Sequence, residues 1–158
     1  MSTGSLGQGL SVACGMSLAG KLNCKDYRIY CMLGDGELDE GSVWEAAMAA
    51  SHYKLDNLTA ILDRNSLQID GATECIMRLE PLEEKWKAFG WNTMMIDGHE
   101  MKQILEALDL AESVKGKPTI IIAKTVKGKG VSFMENKLEY HGKSLTEEEL
   151  TRALEELK

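Results

Sequence analysis

The chain has 158 residues, 44% of them hydrophobic and 27% charged, with a net charge of −7; this is the profile of one soluble globular domain, not of a disordered or fibrous chain. The acidic balance argues against a nucleic-acid partner, and no apolar run approaches the roughly 18 residues needed to span a membrane. No signal-peptide pattern opens the chain, and Cys14, Cys24, Cys31 and Cys75 show no CxxC spacing, so reduced thiols and a cytoplasmic location are expected.

Residues 6–22 predict a helix with Leu6, Leu10, Ala13, Cys14, Ser17 and Leu18 along one face, crowded by small residues that suit close packing. Residues 27–33 (YRIYCML) read as a buried strand that Gly34-Asp35-Gly36 stops. An alanine-rich helix is expected over 40–54 and a strand over 57–63, followed by a polar loop with a short strand at 67–69. Residues 79–89 predict an amphipathic helix with Pro81 in its first turn, and 91–96 a strand. Residues 99–114 predict a helix with Met101, Ile104, Leu105, Leu108 and Ala111 inward, and 118–124 (PTIIIAK) a strand covered on both faces. After a Gly/Lys-rich loop at 127–130, residues 145–157 read as a charged amphipathic helix opened by a Thr146–Glu149 capping box. This alternation predicts an α/β fold: one domain over 1–158 with a doubly wound, mostly parallel sheet of about five or six strands and helices on both faces.

Ligands of such sheets bind at the carboxyl ends of the strands. Asp35 follows one apolar strand and Asn65 follows the next, 30 residues later, so a parallel sheet sets them side by side. A carboxylate, an amide oxygen and a nearby main-chain carbonyl form an all-oxygen set suited to Mg²⁺ or Ca²⁺, which completes its shell from phosphates and water. Gly34 and Gly36 let a phosphate approach the backbone closely. A plain GDG turn with a loop asparagine fits the same residues. No GxxxxGK[ST], and no GxGxxG after a strand, points to a nucleotide site.

The text around these residues is more specific. GSLGQGLSVACGMSLAGK, GDGELDEGSVWEAAMAASHYKLDNLTAILDRNSLQIDG and KTVKGKGVSFMENKLEYHG resemble the thiamine diphosphate-binding domain of transketolases, most of all the N-terminal subunit of the bacterial split-subunit type. The resemblance runs from residue 2 to about residue 145. It implies thiamine diphosphate with Mg²⁺ (or Ca²⁺) as cofactors, with Asp35, Asn65 and the main-chain carbonyl of Leu67 on the metal. It implies Gly36 as an N–H donor to the diphosphate beside Gly34, and Gly4, Leu6 and Gln8 on the cofactor's ring side. His141 matches a catalytic-site histidine near diphosphate and substrate. Glu40 and Glu45 match acidic residues of a dimer interface near the paired cofactor sites.

Other readings of these residues stay open. Leu6 and Gln8 also read as helix-start residues, Leu67 as a strand residue, His141 as an exposed loop residue, and Glu40 as a favourable charge near a helix N-terminus. Lys127 and Lys129 read as an exposed basic loop, His99 as a helix start, His52 as packed or solvated, and Trp44, Trp86 and Trp91 as core or interface.

The implied activity is transfer of a two-carbon ketol unit from a ketose phosphate to an aldose phosphate, in the manner of the pentose phosphate pathway. The family carries a segment before the GSLGQG motif and a pyrimidine-binding domain that this sequence does not show. The expectation is therefore a component that needs a C-terminal, pyrimidine-domain partner subunit, exposes apolar surface and self-associates. A deoxyxylulose phosphate synthase or α-ketoacid dehydrogenase component, or a folded fragment without catalysis, is the alternative.

Overall fold

In the computed structural model, which describes residues 2–4 and 6–158, the chain opens with α1 (Gly9–Leu22), β1 (Ile29–Gly34), a 3-10 turn (Gly36–Asp39) and α2 (Gly41–His52). Then follow β2 (Leu58–Arg64), β3 (Leu67–Gln68), β4 (Gly71–Ala72), α3 (Thr73–Ile76) and α4 (Leu82–Ala88). The last elements are β5 (Asn92–Asp97), α5 (Met101–Ser113), β6 (Thr119–Lys124), a second 3-10 turn (Leu138–His141) and α6 (Glu147–Glu156). Met1 and Ser5, the latter inside the 4–9 motif, lie outside the described residues.

The main sheet is parallel, in the order β1-β2-β6-β5. Among the described residues it has four strands, not the five or six expected. The remaining two, β3 and β4, are two residues each and pair with one another as an antiparallel hairpin. The physical reason is the turn at Asn65 and Ser66: Ser66 has φ +67° and lifts the chain out of the sheet.

Central β6 is buried from Thr119 to Ala123 because both its faces are covered. On one face, Cys31, Leu33, Leu58, Ala60, Leu62, Ile120 and Ile122 pack with Leu10, Ala13 and Cys14 of α1, the alanine side of α2, and Leu82 and Trp86 of α4. The three tryptophans belong to this layer: the Trp86 ring lies 5.2 Å from Trp44 and 4.9 Å from Trp91. Burying rings of this size dominates the stability of so small a core. On the other face lies α5, reached from β1 by the Tyr30 hydroxyl, which donates to Glu112 at 3.3 Å, and from the residue before β1 by Arg28, which donates to the Ala111 carbonyl at 3.1 Å. Helices thus flank both faces.

Three details depart from the sequence-based expectation. Helix α1 starts at Gly9, not at residue 6, because Gly7 sits at φ +80°, outside the right-handed helix region. Helix α4 starts at Leu82, with Pro81 extended as the residue before it. Helix α5 meets the sheet through Ala107 and Ala111, while Met101 and Leu105 are 66% and 56% exposed; small alanines permit the closer approach, and this turns the larger side chains outward.

The capping box of α6 is present: the N–H of Glu149 donates to the Thr146 hydroxyl, and the N–H of Thr146 to the Glu149 carboxylate. Edge strand β1 exposes Tyr30 and Met32, the latter by 64%, next to Val12 and Met16 of α1. All four cysteines are free, with Cys14 and Cys31 buried. Among the described residues no helix is long and apolar enough to cross a membrane.

Candidate functional site

Parallel pairing of β1 with β2 aligns Gly34 with Asp63. Asp35, just past β1, and Arg64, the last residue of β2, therefore stand side by side. A cleft of about 420 Å³ opens at these strand ends, bounded by the first 3-10 turn, the β3–β4 hairpin, Lys127 and His141.

Asp35 is 1% exposed. Its Oδ1 accepts from the N–H of Gly36 at 2.9 Å; its Oδ2 accepts from the N–H of Ser66 at 2.6 Å and from Arg64 Nη1 at 3.1 Å. Asn65 Oδ1 accepts from the N–H of Leu67 at 3.0 Å, an Asx turn that swings the chain from β2 into the hairpin. The hairpin then presses on the GDG turn: a Cβ on Gly36 would lie 2.8 Å from Gln68 Cβ. A Cβ on Gly34 would meet nothing within 4 Å.

Glu37, buried at the same turn, accepts from the N–H of Gly7 at 2.8 Å and of Gly34 at 3.1 Å. The Ser42 hydroxyl donates to the Gly7 carbonyl at 2.9 Å. These bonds tie the segment before α1 to the end of β1 and the start of α2. Asp63 accepts a hydrogen bond from the Thr125 hydroxyl, which links β2 to the end of β6.

Arg64 is 8% exposed and its fork is fully used. Besides Asp35, Nη1 donates to the Thr73 hydroxyl at 2.7 Å, and Nη2 donates to Glu74 at 3.0 Å and Glu80 at 3.1 Å. Burial works against its charge, but the hydrogen bonds to Asp35 and Glu80 outweigh it and raise its pKa. The N–H of Leu82, and after it Arg64, hold the Glu80 carboxyl below its ordinary range.

The residues singled out from the sequence divide into two groups. Leu6, Gly34, Asp35, Gly36, Glu40, Asn65, Leu67 and His141 all line the cleft. Gly4, Gln8 and Glu45 do not: Gly4 is exposed with open space around it, and Gln8 is the exposed residue that precedes α1. Glu45 lies on α2 five residues past Glu40, about 140° around the helix axis, and is exposed.

The N–H of Gly36 donates to Asp35, and that of Gly34 to Glu37. Gly36 is needed for the close approach of Gln68, and Gly34 for the open space at the cleft.

Sequence reasoning missed Arg64, Glu37 and Gly7. The signal for Arg64 was a lone arginine closing an apolar strand, directly before Asn65. Lys127, read as part of an exposed loop, lines the cleft, whereas Lys129 lies 3.6 Å from Glu135. His99 accepts a hydrogen bond from the N–H of Val126 at 2.7 Å, at a separate cleft beyond the ends of β5 and β6.

Asp35, Glu37, Asp39, Glu40, Asp63 and Asp70 line the cleft against a single lysine among the described residues, Lys127. Such a lining repels a phosphate unless a cation lies between them. The donors fit one: a carboxylate, an amide oxygen and a main-chain carbonyl are hard oxygen ligands. Among the described residues no group of three His, Cys, Asp or Glu side chains converges as a metal cage. A cation held here would share its shell with phosphate oxygens and water, as Mg²⁺ does.

A parallel sheet with its cleft at the carboxyl ends of two adjacent strands places the chain among the α/β ligand-binding domains. Within that class it belongs to the family described as "Transketolase, thiamine diphosphate binding domain", which matches residues 1–157.

The chain is 51% identical over 157 residues to the 6-deoxy-6-sulfo-D-fructose transketolase subunit SqwG of Clostridium sp. (strain MSTE9), covering 99% of this chain and 57% of that protein. It is 46% identical over 157 residues to one subunit of the apulose-4-phosphate transketolase of Phocaeicola vulgatus, covering 99% of this chain and 56% of that one. The chain thus spans little more than half the length of these relatives. Among solved structures, the transketolase of Campylobacter jejuni superposes with a TM-score of 0.91 at 36% identity, over 96% of this chain and 25% of that one. The transketolase of Leishmania mexicana gives a TM-score of 0.90 at 31% identity, over 98% and 25%.

Proposed function

We propose that the chain is the diphosphate- and cation-binding component of a transketolase, a single domain over 1–158 that works with a pyrimidine-domain partner subunit. The observation that carries this reading is the convergence of Asp35, Asn65 and Leu67 on one acid-lined cleft. Family membership and the naming of the two relatives as transketolase subunits support it.

Asp35, Asn65 and the main-chain carbonyl of Leu67 would hold Mg²⁺ (or Ca²⁺), and the cation would hold the diphosphate of thiamine diphosphate. When bound, that cofactor supplies the chemistry of moving a two-carbon ketol unit from a ketose phosphate to an aldose phosphate. The chain's own residues bind and orient. Two N–H groups and Arg64 fix the Asp35 carboxylate, and the Asx turn at Asn65 aims the hairpin that carries Leu67. Gly34 leaves the space that the diphosphate needs, and Leu6 offers apolar surface at the same cleft. His141 and Lys127, at the cleft wall, are placed to meet the polar and anionic parts of a sugar phosphate.

Glu40 at the cleft and Glu45 on the outer side of α2 are both exposed, as residues that wait for a second chain would be. The assembly is read as a dimer built with the partner subunit, acting in the cytoplasm on pentose phosphate-type sugars.

Calorimetric titration of thiamine diphosphate into the chain, with Mg²⁺ and then with EDTA, tests the reading. Metal-dependent binding that Asp35→Ala abolishes is the expected result, with ketol transfer appearing only when a pyrimidine-domain subunit is added. Absence of binding in both buffers, or full turnover by the chain alone, overturns it.

A further inference from the structure

The cation–diphosphate reading leaves the position of Arg64 unexplained. Arg64 ends β2, one residue before Asn65, and its guanidinium is buried against the very carboxylate assigned to the cation. We propose that Arg64 is a positioning residue that makes capture of the cation at Asp35 depend on the diphosphate. The inference rests on the functional reading above and assigns a further residue to that site.

Two features carry it. The first is geometric. Arg64 and the N–H of Ser66 both hold Oδ2 of Asp35, whereas among the described residues Oδ1 accepts only from Gly36. The carboxylate cannot rotate freely, and Oδ1 keeps the spare lone pair. The guanidinium is itself clamped by Thr73, Glu74 and Glu80, so it does not swing aside when Asp35 takes another partner. A planar fork with this many fixed contacts holds its acceptor as a lysine does not.

The second feature is charge. Asp35 already has a full positive charge 3.1 Å from Oδ2. A divalent cation arriving alone meets a carboxylate that is largely neutralised, and it meets the repulsion of the guanidinium in a buried setting where screening is weak. Glu74 and Glu80 offset only part of this, because their side chains are 38% and 53% exposed and so face water. A diphosphate brings several negative charges to the cation and reverses the balance. Arg64 therefore shifts the site from a bare cation toward a cation together with a diphosphate, and the chain holds Mg²⁺ only weakly until the cofactor arrives.

A purely stabilising role for Arg64 predicts the opposite sign, and this separates the two. If Arg64 only holds the fold, removing it loosens the site and weakens binding of every ligand. If it sets the coupling, Arg64→Met binds Mg²⁺ alone more tightly than the wild type.

The experiment is titration of the full chain with Mg²⁺ alone and with thiamine diphosphate at low and saturating Mg²⁺, for wild type, R64M and R64K, with circular dichroism to show that each is folded. R64M is expected to bind Mg²⁺ alone about three- to tenfold more tightly, and the factor by which Mg²⁺ tightens thiamine diphosphate is expected to fall correspondingly. R64K keeps the charge and is expected to keep the weak affinity for bare Mg²⁺. Should R64M fail to fold, E80Q carries the test: it removes a counter-charge from Arg64 and is expected to weaken bare Mg²⁺ binding by about twofold.

Unchanged or weaker Mg²⁺ affinity in a folded R64M, or unchanged affinity in E80Q where R64M does not fold, overturns the role of Arg64 while Mg²⁺-dependent cofactor binding by the wild type leaves the functional reading standing. No Mg²⁺-dependent cofactor binding by the wild type overturns both.

Discussion

The N–H of Gly7 donates to the carboxylate of Glu37 at 2.8 Å, joining two residues 30 positions apart. The other oxygen of Glu37 accepts from Gly34. One buried side chain thus fixes the distance between the segment that enters α1 and the end of β1, and so sets the width of the cleft on that side. Glu37→Gln replaces one acceptor oxygen with an amide nitrogen that faces an N–H donor. The expected loss is about 1–3 kcal/mol in urea unfolding, the usual cost of leaving a buried polar group unpaired.

Gly7 and Gly34 are expected to respond differently to the same change. Alanine at Gly7 puts a Cβ 2.7 Å from the Ser42 hydroxyl oxygen and 2.8 Å from Glu40 Cβ, at φ +80°. Gly7→Ala should cost about 1–3 kcal/mol in equilibrium unfolding. Alanine at Gly34 meets no atom within 4 Å. Gly34→Ala should leave stability within about 1 kcal/mol of wild type but put a methyl group into the cleft, and calorimetry should show weaker thiamine diphosphate binding.

The four thiols are expected to fall into two pairs. Burial, with a further push from Cys31, raises the Cys14 thiol to about 11, and burial, with Glu37 beside it, raises Cys31 to about 11. Both stay protonated and inert at neutral pH, because the thiolate is the reactive form. Cys24 and Cys75 are exposed. A disulfide reagent should titrate two thiols quickly in the native chain and all four only in denaturant.

Acid should weaken the attachment of α6 in a defined range. The N–H of Thr146, and after it the ammonium of Lys143, hold the Glu149 carboxyl at about 2, below its ordinary 4.5. A carboxylate whose pKa is lower when folded contributes stability above its unfolded pKa and loses it as pH falls through the folded one. The contribution is therefore complete above about 4.5 and fades toward 2. A carboxyl-detected NMR titration should find Glu149 titrating well below its ordinary 4.5, and Glu149→Gln should remove that part of the acid sensitivity.

Much of this was legible along the chain. The strand runs YRIYCML, NLTAILD and PTIIIAK lie within two residues of β1, β2 and β6, because continuous apolar runs bounded by polar or glycine residues have few other places to go. The capping box at Thr146 and Glu149 is local chemistry and was visible as such. Asp35 and Asn65 were legible as a pair because two consecutive parallel strands must end together.

What failed was long-range. The sheet count failed because the Leu67 and Gly71 segments are strand-like locally, yet they pair only with one another after the turn at Ser66. The inward face of α5 held at Ala111 and, half-buried, at Ile104 and Leu108, but not at Met101 and Leu105, because periodicity marks the larger apolar residues whereas the helix approaches through Ala107 and Ala111.

By itself, then, the sequence determined the order and type of the longer elements and the two oxygen-bearing side chains that follow β1 and β2, since propensity, hydrophobic period and turn chemistry act over a few residues. Only the tertiary structure decided what surrounds those donors: that Arg64 faces Asp35 and that Glu37 joins Gly7 to the end of β1. These contacts join residues 29 and 30 positions apart whose partners are chosen by the packing of strands and turns, and a polar group once buried takes whichever partner that packing brings within reach.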